Sequence, residues 1–452
     1  MITTVNPATG QPIATYETAD ADAVETALAT AASARAAWAV QADRAVVLSR
    51  TASVLRRRKD ELARLITTEM GKPLAEAAAE VEKCAVACEF YADHGHRMLA
   101  DERVTPNAWV SYEPIGTVLA VMPWNFPLWQ VIRFAAPALL AGNATVLKHS
   151  PNTSGCAMAL ADVFAEAGLP SGVFGVVLLS EPDTPDAVAR MIADPRIDAV
   201  TVTGSERAGS AIAAHAGRAI KKSVLELGGS DPFIVMADAD LPAAVAAGVR
   251  ARFANAGQSC IAAKRFIIAR PVFDAFRAAF ADAVDALVLG DPTDLATQIG
   301  PLAREDLVVR LADQVARSAA TVLTGGRRLD RNGFFYVPTV LTDVTPDMPV
   351  WTEETFGPVA VVVPADDVDH LVRLANDARG GLGASVWTRD AAAGRALGQR
   401  LRSGSVFVNA VVASDPRLPF GGVGRSGYGR ELAAAGIREF VNIRTWWTEE
   451  GR

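Results

Sequence analysis

Two hydrophobic patterns divide the chain. From Asp20 to about Leu99, apolar residues recur at helical spacing in long Ala-, Glu- and Arg-rich segments, interrupted near Gly71 and Pro73. This spacing predicts a run of amphipathic helices. From Ile115 onward, short β-branched runs alternate with Ala-rich helical segments, which predicts parallel strands joined by helices. The predicted fold class is therefore α/β, with a doubly wound parallel sheet covered on both faces.

The predicted elements can be placed along the sequence. Strands are expected at GTVLAVMP, NATVLKH, GVFGVVLL, DAVTVTGS, SVLELGG and PFIVM, with helices near residues 130–141, 153–167, 184–193 and 206–219. A helix over residues 239–253 leads into a second β/α section, with strands near RFIIA, TVLTG, VAVVV, GASVWT and SVFVNA. The tail VNIRTWWTE alternates as a strand does, and we expect it to join a hairpin around residues 103–112.

The composition excludes several classes of protein. Half of the 452 residues are hydrophobic, so the chain can bury a core and is not disordered. The net charge of −7 leaves no basic excess that would indicate a nucleic-acid partner. Apolar stretches such as residues 134–142 are short and broken by Pro or Gly, so no membrane span is expected. The N-terminus lacks the basic start and apolar core of a signal peptide, which predicts a cytoplasmic protein.

The cysteines do not indicate a disulfide scaffold or a metal site. Four cysteines are too few to staple a chain of this length. Cys84 and Cys88 lie four residues apart on one face of a predicted helix, and we interpret them as small buried hydrophobes. His94 and His96 follow at no familiar zinc spacing, so no metal is expected.

Six segments carry the candidate chemistry. In chain order they are PWNFP (123–127), VTGSERAG (202–209), LELGGSDP (225–232), NAGQSC (255–260), EETFGPV (353–359) and PFGGVGRSG (419–427). Together they resemble the NAD(P)-dependent aldehyde dehydrogenase superfamily over essentially the whole chain. Within it, PWNFPLWQVIRFAAPAL, VLELGGSDPFIV and NAGQSCIAAKRF are most similar to bacterial succinate-semialdehyde dehydrogenases.

The resemblance implies a domain organisation. It predicts an NAD(P)-binding domain from residues 1–101 and 114–226, and a catalytic domain from residues 227–427. A small oligomerisation element would combine residues 102–113 with 428–452. The exposed Trp-Trp pair in the tail fits this element, because apolar strand edges seek a partner. We expect at least a homodimer, with a homotetramer as the alternative.

Three residues are expected to carry the reaction. Aldehyde oxidation needs a nucleophile that forms a tetrahedral adduct, and the thiolate of Cys260 suits that task. The thioester formed next must be hydrolysed, and the resemblance assigns water activation to Glu226. Asn125 and the backbone N–H of Cys260 would form the oxyanion hole.

The cofactor residues follow predicted strands. No GxGxxG motif is present, so the ordinary dinucleotide fingerprint is missing. Backbone N–H groups at a strand-to-helix turn can instead meet pyrophosphate. VTVTGSERAG places Gly204 and Ser205 at such a turn, and the resemblance puts Ser205 near phosphate and Gly209 on the first helical turn. It also implies that Lys148 contacts the adenosine ribose and that Glu354 and Phe356 hold the nicotinamide end. It also places Met122, Pro123, Trp124 and Leu227 along the groove.

One departure from the family pattern predicts NADP rather than NAD. NAD-preferring relatives often carry a Glu three residues after the equivalent of Lys148, and this chain has Pro151 there. Without that carboxylate a 2′-phosphate is not repelled, while Lys148 offers charge and Ser150 a donor. NADP is therefore the preferred cofactor, with NAD as the alternative. A second departure is Ala262, where some relatives carry a second Cys, so no local disulfide switch is expected.

The predicted substrate rests on Arg133. In relatives acting on succinate semialdehyde, an Arg at this place grips the distal carboxylate, a task that suits a guanidinium. A second Arg of some relatives would fall near Ala254 and is missing. Ser414 or Arg417 would then complete the carboxylate site.

Four alternative functions remain open from the sequence. The substrate could be another small aldehyde. A CoA-acylating aldehyde dehydrogenase usually lacks the glutamate of LELGG, which this chain retains as Glu226. A thiol esterase without redox chemistry would need no nicotinamide-binding residues, and a binding protein on this scaffold would tolerate loss of Cys260.

Overall fold

The N-terminal part of the chain forms a hairpin and four helices in the computed structural model, which describes residues 1–449. The elements are β1 (Ile2–Val5), β2 (Pro12–Tyr16), α1 (Ala21–Ala39), α2 (Arg44–Arg57), α3 (Lys59–Met70) and α4 (Leu74–Met98). Asp20 caps α1 by accepting from the backbone N–H of Ala23 at 2.8 Å. Gly71 ends α3 in a left-handed conformation with φ 81°. The predicted run of helices is confirmed, whereas the hairpin was not predicted.

The first large sheet alternates with helices. After the short strands β3 (Glu102–Thr105) and β4 (Ala108–Pro114), its elements are β5 (Thr117–Met122), α5 (Trp129–Leu140), β6 (Ala144–His149), α6 (Ser154–Glu166), β7 (Phe174–Val176), α7 (Thr184–Ala193), β8 (Ala199–Thr203), α8 (Glu206–Arg218) and β9 (Lys222–Glu226). The strand order is β9-β8-β5-β6-β7, and all four pairings are parallel. Every residue of β6 and β8 is buried, as expected for a sheet covered on both faces.

The second large sheet has seven strands. Its elements are β10 (Asp231–Val235), α9 (Leu241–Phe253), β11 (Ala263–Ala269), α10 (Arg270–Asp285), α11 (Glu305–Ser318), β12 (Thr321–Thr324), β13 (Thr339–Thr342), α12 (Pro349–Thr352), β14 (Val359–Ala365), α13 (Val368–Asn376), β15 (Gly380–Gly381), β16 (Gly383–Trp387), α14 (Ala391–Gly398) and β17 (Ser405–Val408). The order β12-β13-β14-β11-β10-β16-β17 is parallel except for the edge strand β12, while β15 lies outside this sheet. The predicted doubly wound α/β architecture is confirmed.

The C-terminal segment connects both parts of the molecule. It contains β18 (Val423–Gly424), β19 (Gly427–Tyr428), α15 (Ala433–Ile437) and β20 (Val441–Trp447). Strand β19 adds an antiparallel edge to the first large sheet beside β9. Strand β20 pairs with β4, which in turn pairs with β3, and these three strands form the small sheet expected from the tail and the hairpin. Residues 450–452 of the predicted oligomerisation element lie outside the described residues.

The described residues add two negative findings. None of the helices within residues 1–449 combines the length and apolar character needed to cross a bilayer. In the same part of the chain, no group of three His, Cys, Asp or Glu residues is arranged to hold a metal ion.

Cys84, Cys88 and Cys156 are fully buried, which confirms the interpretation of the first two as core residues.

Candidate active site

A large cleft opens where strands of the first large sheet end and the second sheet begins. Its cavity has a volume of about 1060 Å³. Ligand sites of α/β proteins lie at the carboxyl ends of parallel strands, and this cleft follows that rule. It brings together most of the predicted site residues, namely Met122, Pro123, Trp124, Asn125, Lys148, Ser150, Gly204, Ser205, Glu226, Leu227, Cys260, Glu354 and Phe356.

The loop before Cys260 has an unusual backbone. Asn255 and Ala256 adopt left-handed conformations with φ of 53° and 52°, which non-glycine residues rarely do. The N–H of Asn255 donates to Glu76 at 2.7 Å. The Gln258 side chain donates to the Asn255 carbonyl at 3.1 Å and accepts from the Ala303 N–H at 2.9 Å. These bonds hold the strained loop, and Cys260 follows it at the cleft.

Burial dominates the electrostatics of Cys260. It raises the pKa of the thiol to about 11, while the positive charges of Arg133 and Lys264 act in the opposite direction. Cys260 is the cysteine with intermediate exposure among the four free thiols. A partly exposed thiol with two cations in electrostatic range is a suitable nucleophile, because cations favour the thiolate.

Lys264 connects the nucleophile loop with the cleft. Its ammonium donates to the carbonyl of Cys260 at 2.9 Å and to that of Ser259 at 3.2 Å. It also lies 3.3 Å from a carboxylate oxygen of Glu354. Sequence reasoning did not single out Lys264. The available signal was the pair of charged residues Lys264 and Arg265 inside the buried strand AKRFIIA, where a charge needs a partner.

Asn125 lies beside the same loop. Its side-chain amide donates to the Gln258 carbonyl at 3.1 Å, and its own carbonyl accepts from the Asn255 amide at 2.9 Å. Asn125 is buried and lines the cleft with Cys260. An amide carries two N–H donors, so one is left for an oxygen bound at Cys260.

Glu226 ends β9 in a buried position. Neither of its carboxylate oxygens has a hydrogen-bond partner among the described residues. Burial raises the pKa of Glu226 well above its ordinary value, and the nearby charge of Glu431 raises it further. Arg133 and Arg430 lower the pKa, but burial prevails. A carboxyl group with a raised pKa and unused oxygens can exchange a proton with water in the cleft.

Arg133 is a fully buried residue of α5 that is already engaged. Its Nε pairs with the Glu431 carboxylate, and a second guanidinium nitrogen lies 3.3 Å from the Thr203 hydroxyl. The guanidinium also lies 4.6 Å from the centre of the Phe420 ring. Arg133 therefore neutralises a buried carboxylate next to Glu226, and it does not line the cleft within the described residues.

The far end of the cleft has the residues expected for a nucleotide. Lys148 is buried at the end of β6, no carboxylate of the described chain pairs with it, and burial lowers its pKa to about 8. Ser150 follows and donates to the Asn152 side chain at 2.7 Å. Ser205 is the N-cap of α8, and its side chain accepts from the Ala208 N–H at 3.3 Å. A helix N-terminus beside an unpaired lysine suits phosphate groups.

The near end of the cleft has the residues expected for a nicotinamide group. A Cβ added at Gly228 would collide with the Glu354 carboxylate, so the glycine lets this side chain lie against the backbone. The Gly229 N–H donates to Glu354 at 3.2 Å. Phe356 packs edge-on against Trp124 with ring centres 5.8 Å apart. These contacts fix Glu354 and the aromatic wall, and the donor set fits a nicotinamide dinucleotide.

The remaining predicted residues lie away from the cleft lining in the described structure. Gly209 lies in α8, where a Cβ would collide with the Leu227 side chain, so it allows close packing instead of contacting a ligand. Pro151 starts the short helical turn after Ser150. Arg417 is exposed and binds Asp415 at 2.6 Å. Ser414 is buried and accepts from the Lys83 ammonium at 2.7 Å.

The arrangement defines a thiol enzyme with a dinucleotide-binding cleft. Comparison with known proteins agrees: the model of the aldehyde dehydrogenase family matches residues 1–446. The chain belongs to the aldehyde dehydrogenase family, and the resemblance inferred from its motifs is confirmed.

Individual relatives give more detail. The chain is 49% identical to a succinate-semialdehyde dehydrogenase of Mycobacterium tuberculosis H37Rv whose name specifies NADP(+), with 99% of each chain covered. It is also 49% identical to the succinate semialdehyde dehydrogenase Sad of Escherichia coli K12, whose name specifies NAD(P)+, over 98% of this chain and 97% of that one. The crystal structure of a succinic semialdehyde dehydrogenase from Streptococcus pyogenes with NADP+ superposes with a TM-score of 0.96 at 33% identity, covering 100% of both chains.

Proposed function

We propose that this aldehyde dehydrogenase oxidises succinate semialdehyde to succinate and uses NADP in preference to NAD. The observation that carries the proposal is the convergence of Cys260, Glu226 and Asn125 on one cleft that also has an unpaired Lys148 at its far end. The relatives named for succinate semialdehyde and NADP(+), which match the full length of the chain, support this substrate and cofactor.

Cys260 starts the reaction. Its sulfur attacks the aldehyde carbon as a thiolate, and the second amide N–H of Asn125 donates to the oxygen of the resulting thiohemiacetal. A nicotinamide cofactor bound in the cleft supplies the acceptor for the hydride that leaves this carbon. What remains on Cys260 is a thioester. The strained loop over Asn255 and Ala256 keeps the sulfur and its backbone N–H at a fixed place throughout.

Glu226 completes the reaction. Its unused carboxylate oxygens take a proton from a water molecule, which attacks the thioester and releases succinate and the thiol. The base must be deprotonated for this step, and its raised pKa therefore predicts faster deacylation as the pH rises. Because hydrolysis needs this base, the retained Glu226 favours water over CoA as the acyl acceptor.

The two ends of the cleft divide the cofactor between them. Lys148 and Ser150 would bind the ribose with its 2′-phosphate, and the turn at Gly204 and Ser205 would bind the pyrophosphate. Glu354 would accept hydrogen bonds from the nicotinamide ribose, held there by Gly229 and Lys264. The absence of a carboxylate at Pro151 supports NADP over NAD.

The distal carboxylate of the substrate needs a cation. The sequence predicts Arg133 for this role, with Ser414 and Arg417 as the further candidates. To bind the substrate directly, Arg133 would share its guanidinium between the substrate and Glu431. Arg417 would first have to leave Asp415. Ser414 needs no such exchange. Its hydroxyl accepts from the ammonium of Lys83, so a cation is already beside it.

Assembly and location complete the proposal. We propose the domain boundaries predicted above, with the three-stranded sheet as a contact between copies in a homodimer or homotetramer. Supporting this contact, Ile443 and Trp447 on the edge strand β20 are 60% and 67% exposed. Four free thiols support a reducing, cytoplasmic compartment.

The test is a steady-state assay of purified enzyme without CoA. Formation of NADPH or NADH is followed with succinate semialdehyde and with butanal, for both cofactors. We expect the highest kcat/KM with succinate semialdehyde and NADP, and loss of activity by more than about 1000-fold in Cys260→Ala. Preference for butanal, or turnover only after CoA is added, would contradict the proposal.

A further inference from the structure

The ammonium of Lys83 in α4 is held by side chains from two other segments of the chain. Its ammonium lies 4.4 Å from the centre of the Trp129 ring and donates to the Ser414 hydroxyl at 2.7 Å. Trp129 is the first residue of α5, two residues after the end of the segment PWNFP, which contains Asn125. Ser414 comes from the loop before PFGG, 331 positions away from Lys83. The fold therefore brings three separate segments together around one ammonium group.

The positive charge of Lys83 is not neutralised by the protein. Among the described residues, no carboxylate lies within salt-bridge distance of its ammonium. The acidic neighbours are engaged elsewhere. Asp415 binds Arg417 at 2.6 Å, and Glu80 pairs with Lys72 while also accepting from the backbone N–H of Trp129 at 3.0 Å. The groups that contact the ammonium, a hydroxyl and an indole ring, are both uncharged.

Lys83 is also within electrostatic range of the nucleophile. A thiolate at Cys260 acts on the ammonium electrostatically, and so does the guanidinium of Arg133. Burial, more than either charge, lowers the pKa of Lys83 to about 8. A partly buried ammonium within electrostatic range of the reacting sulfur, without a carboxylate, gains most from an anion that arrives with the substrate.

Arg133 provides the contrast. The charges of Lys83 and Arg133 act on each other and on that of Cys260. Arg133, however, is paired with the buried carboxylate of Glu431. Taking Glu431 away from Arg133 would leave a buried carboxylate unpaired, which is costly. Lys83 can accept a carboxylate while keeping its bond to Ser414, because an ammonium has three donors.

We propose that Lys83, positioned by Ser414, is the residue that binds the distal carboxylate of the aldehyde substrate. The inference rests on the proposed function, because it assumes a substrate with an aldehyde at one end and a carboxylate at the other. It assigns substrate selectivity to α4, outside all six sequence motifs. It also limits Arg133 to holding Glu431 beside the catalytic carboxyl group.

The experiment compares two aldehydes in five proteins. The kcat/KM for succinate semialdehyde and for butanal, which lacks the carboxylate, is measured in the wild type, Lys83→Met, Lys83→Arg, Arg133→Leu and Lys59→Met. Lys59 of α3 is the matched control, because Lys59→Met also removes one ammonium, which binds the half-buried carboxylate of Glu82 at 3.4 Å. We expect Lys83→Met to lose about 10- to 100-fold with succinate semialdehyde, mainly through KM, and less than about threefold with butanal. Lys83→Arg should regain part of the loss, and Lys59→Met should match the wild type.

A second measurement does not depend on turnover. Alkylation of Cys260 by 4-bromobutyrate, whose reactive carbon has the same separation from a carboxylate as the aldehyde carbon of the substrate, is compared with alkylation by the neutral 4-bromobutanamide. Mass spectrometry of the Cys260 peptide gives both rates. The preference for the acid over the amide should fall about tenfold in Lys83→Met and stay unchanged in Lys59→Met.

The outcomes separate the inference from the proposed function. If the wild type prefers succinate semialdehyde but Lys83→Met affects both aldehydes equally, or neither, the assignment of Lys83 is wrong and the proposed function stands. A selective loss in Arg133→Leu with an unaffected Lys83→Met would return the carboxylate to Arg133. A wild type that does not prefer succinate semialdehyde to butanal would overturn the proposed function, and the inference with it.

Discussion

Two lysines flank the nucleophile, and they are bound in different ways. On the cleft side, Lys264 is 1% exposed, donates to backbone carbonyls of the Cys260 loop and meets the Glu354 carboxylate at 3.3 Å. On the enclosed side, which we define by Lys83, Arg133 and Ser414, the ammonium of Lys83 contacts only neutral groups. One lysine is saturated by the protein, and the other is not.

The difference in partners indicates that the charge of Lys264 is structural, whereas the charge of Lys83 is available to bind an anion. A buried cation whose donors are all used by backbone and carboxylate groups stabilises the local conformation. Its removal therefore disturbs every group that it binds. A cation held by a hydroxyl and a ring keeps a site for an incoming anion. Residue type and distance from Cys260 alone would not distinguish the two lysines, whereas their partners do.

The largest expected effect concerns Glu226, the proposed base, which lines the cleft. Glu226→Gln should release one rapid equivalent of NADPH and then turn over about 100- to 10,000-fold more slowly, because only hydrolysis of the thioester requires the carboxylate. Rapid-mixing absorbance would measure the burst, and mass spectrometry of the quenched protein would detect the acyl group on Cys260. A uniformly slow reaction without an acylated protein would assign Glu226 another role.

The next effect sharpens the comparison at Cys260 itself. Because burial raises the pKa of this thiol to about 11, its thiolate fraction should rise about tenfold for each pH unit between pH 7 and 9. Alkylation by iodoacetamide, followed by peptide mass spectrometry, should show the same slope. Cys84 and Cys156 serve as internal controls, since both are fully buried with thiol pKa values raised well above the ordinary value. A plateau below pH 8 would mean that the two cations outweigh burial.

A third prediction contrasts the two lysines directly. Lys264→Met should reduce kcat/KM by about 30-fold for succinate semialdehyde and butanal alike, because it releases both the Cys260 loop and Glu354. The bound fraction of NADP, measured by fluorescence titration of the same protein, should fall as well. A loss confined to succinate semialdehyde would place Lys264 in the carboxylate site and would break the distinction from Lys83.

Patterns along the chain predicted the fold well, because each strand and helix is determined by residues that are neighbours in the sequence. Most strands of both large sheets and the helix at Thr184–Ala193 fall where the periodicity indicated them. Strand β12 was predicted from TVLTG, but its antiparallel direction was not, and the antiparallel edge strand β19 was not predicted, since strand direction at an edge depends on where the chain returns. The strand β13 was missed, and β7 is shorter than the apolar run GVFGVVLL suggested.

The site was predictable only where a motif concentrated its residues. Cys260, Glu226 and Asn125 each lie in a short segment with a chemical reason, and the structure brings all three to one cleft. Partnerships between distant segments could not be read from the sequence. Lys83 meets Ser414 across 331 positions, and the pairing of Arg133 with Glu431 likewise joins separate parts of the chain.

The smallest expected effect tests the far end of the cleft, where Lys148 is another buried lysine that no described carboxylate pairs with. Pro151→Glu would place a carboxylate one residue beyond Ser150, which lines the cleft, although Pro151 itself is set back from the lining. Repulsion of the 2′-phosphate should therefore be partly screened by water, and the ratio of kcat/KM with NADP to that with NAD should fall only about fivefold. The ratio is measured at saturating aldehyde in low salt and again in high salt, because screening should remove part of the effect.

Pro151→Ala controls for the loss of the ring and should leave the ratio unchanged. If the glutamate and alanine variants give the same ratio at low salt, the side chain at this position does not face the ribose. The NADP preference would then depend on Lys148 and Ser150 alone.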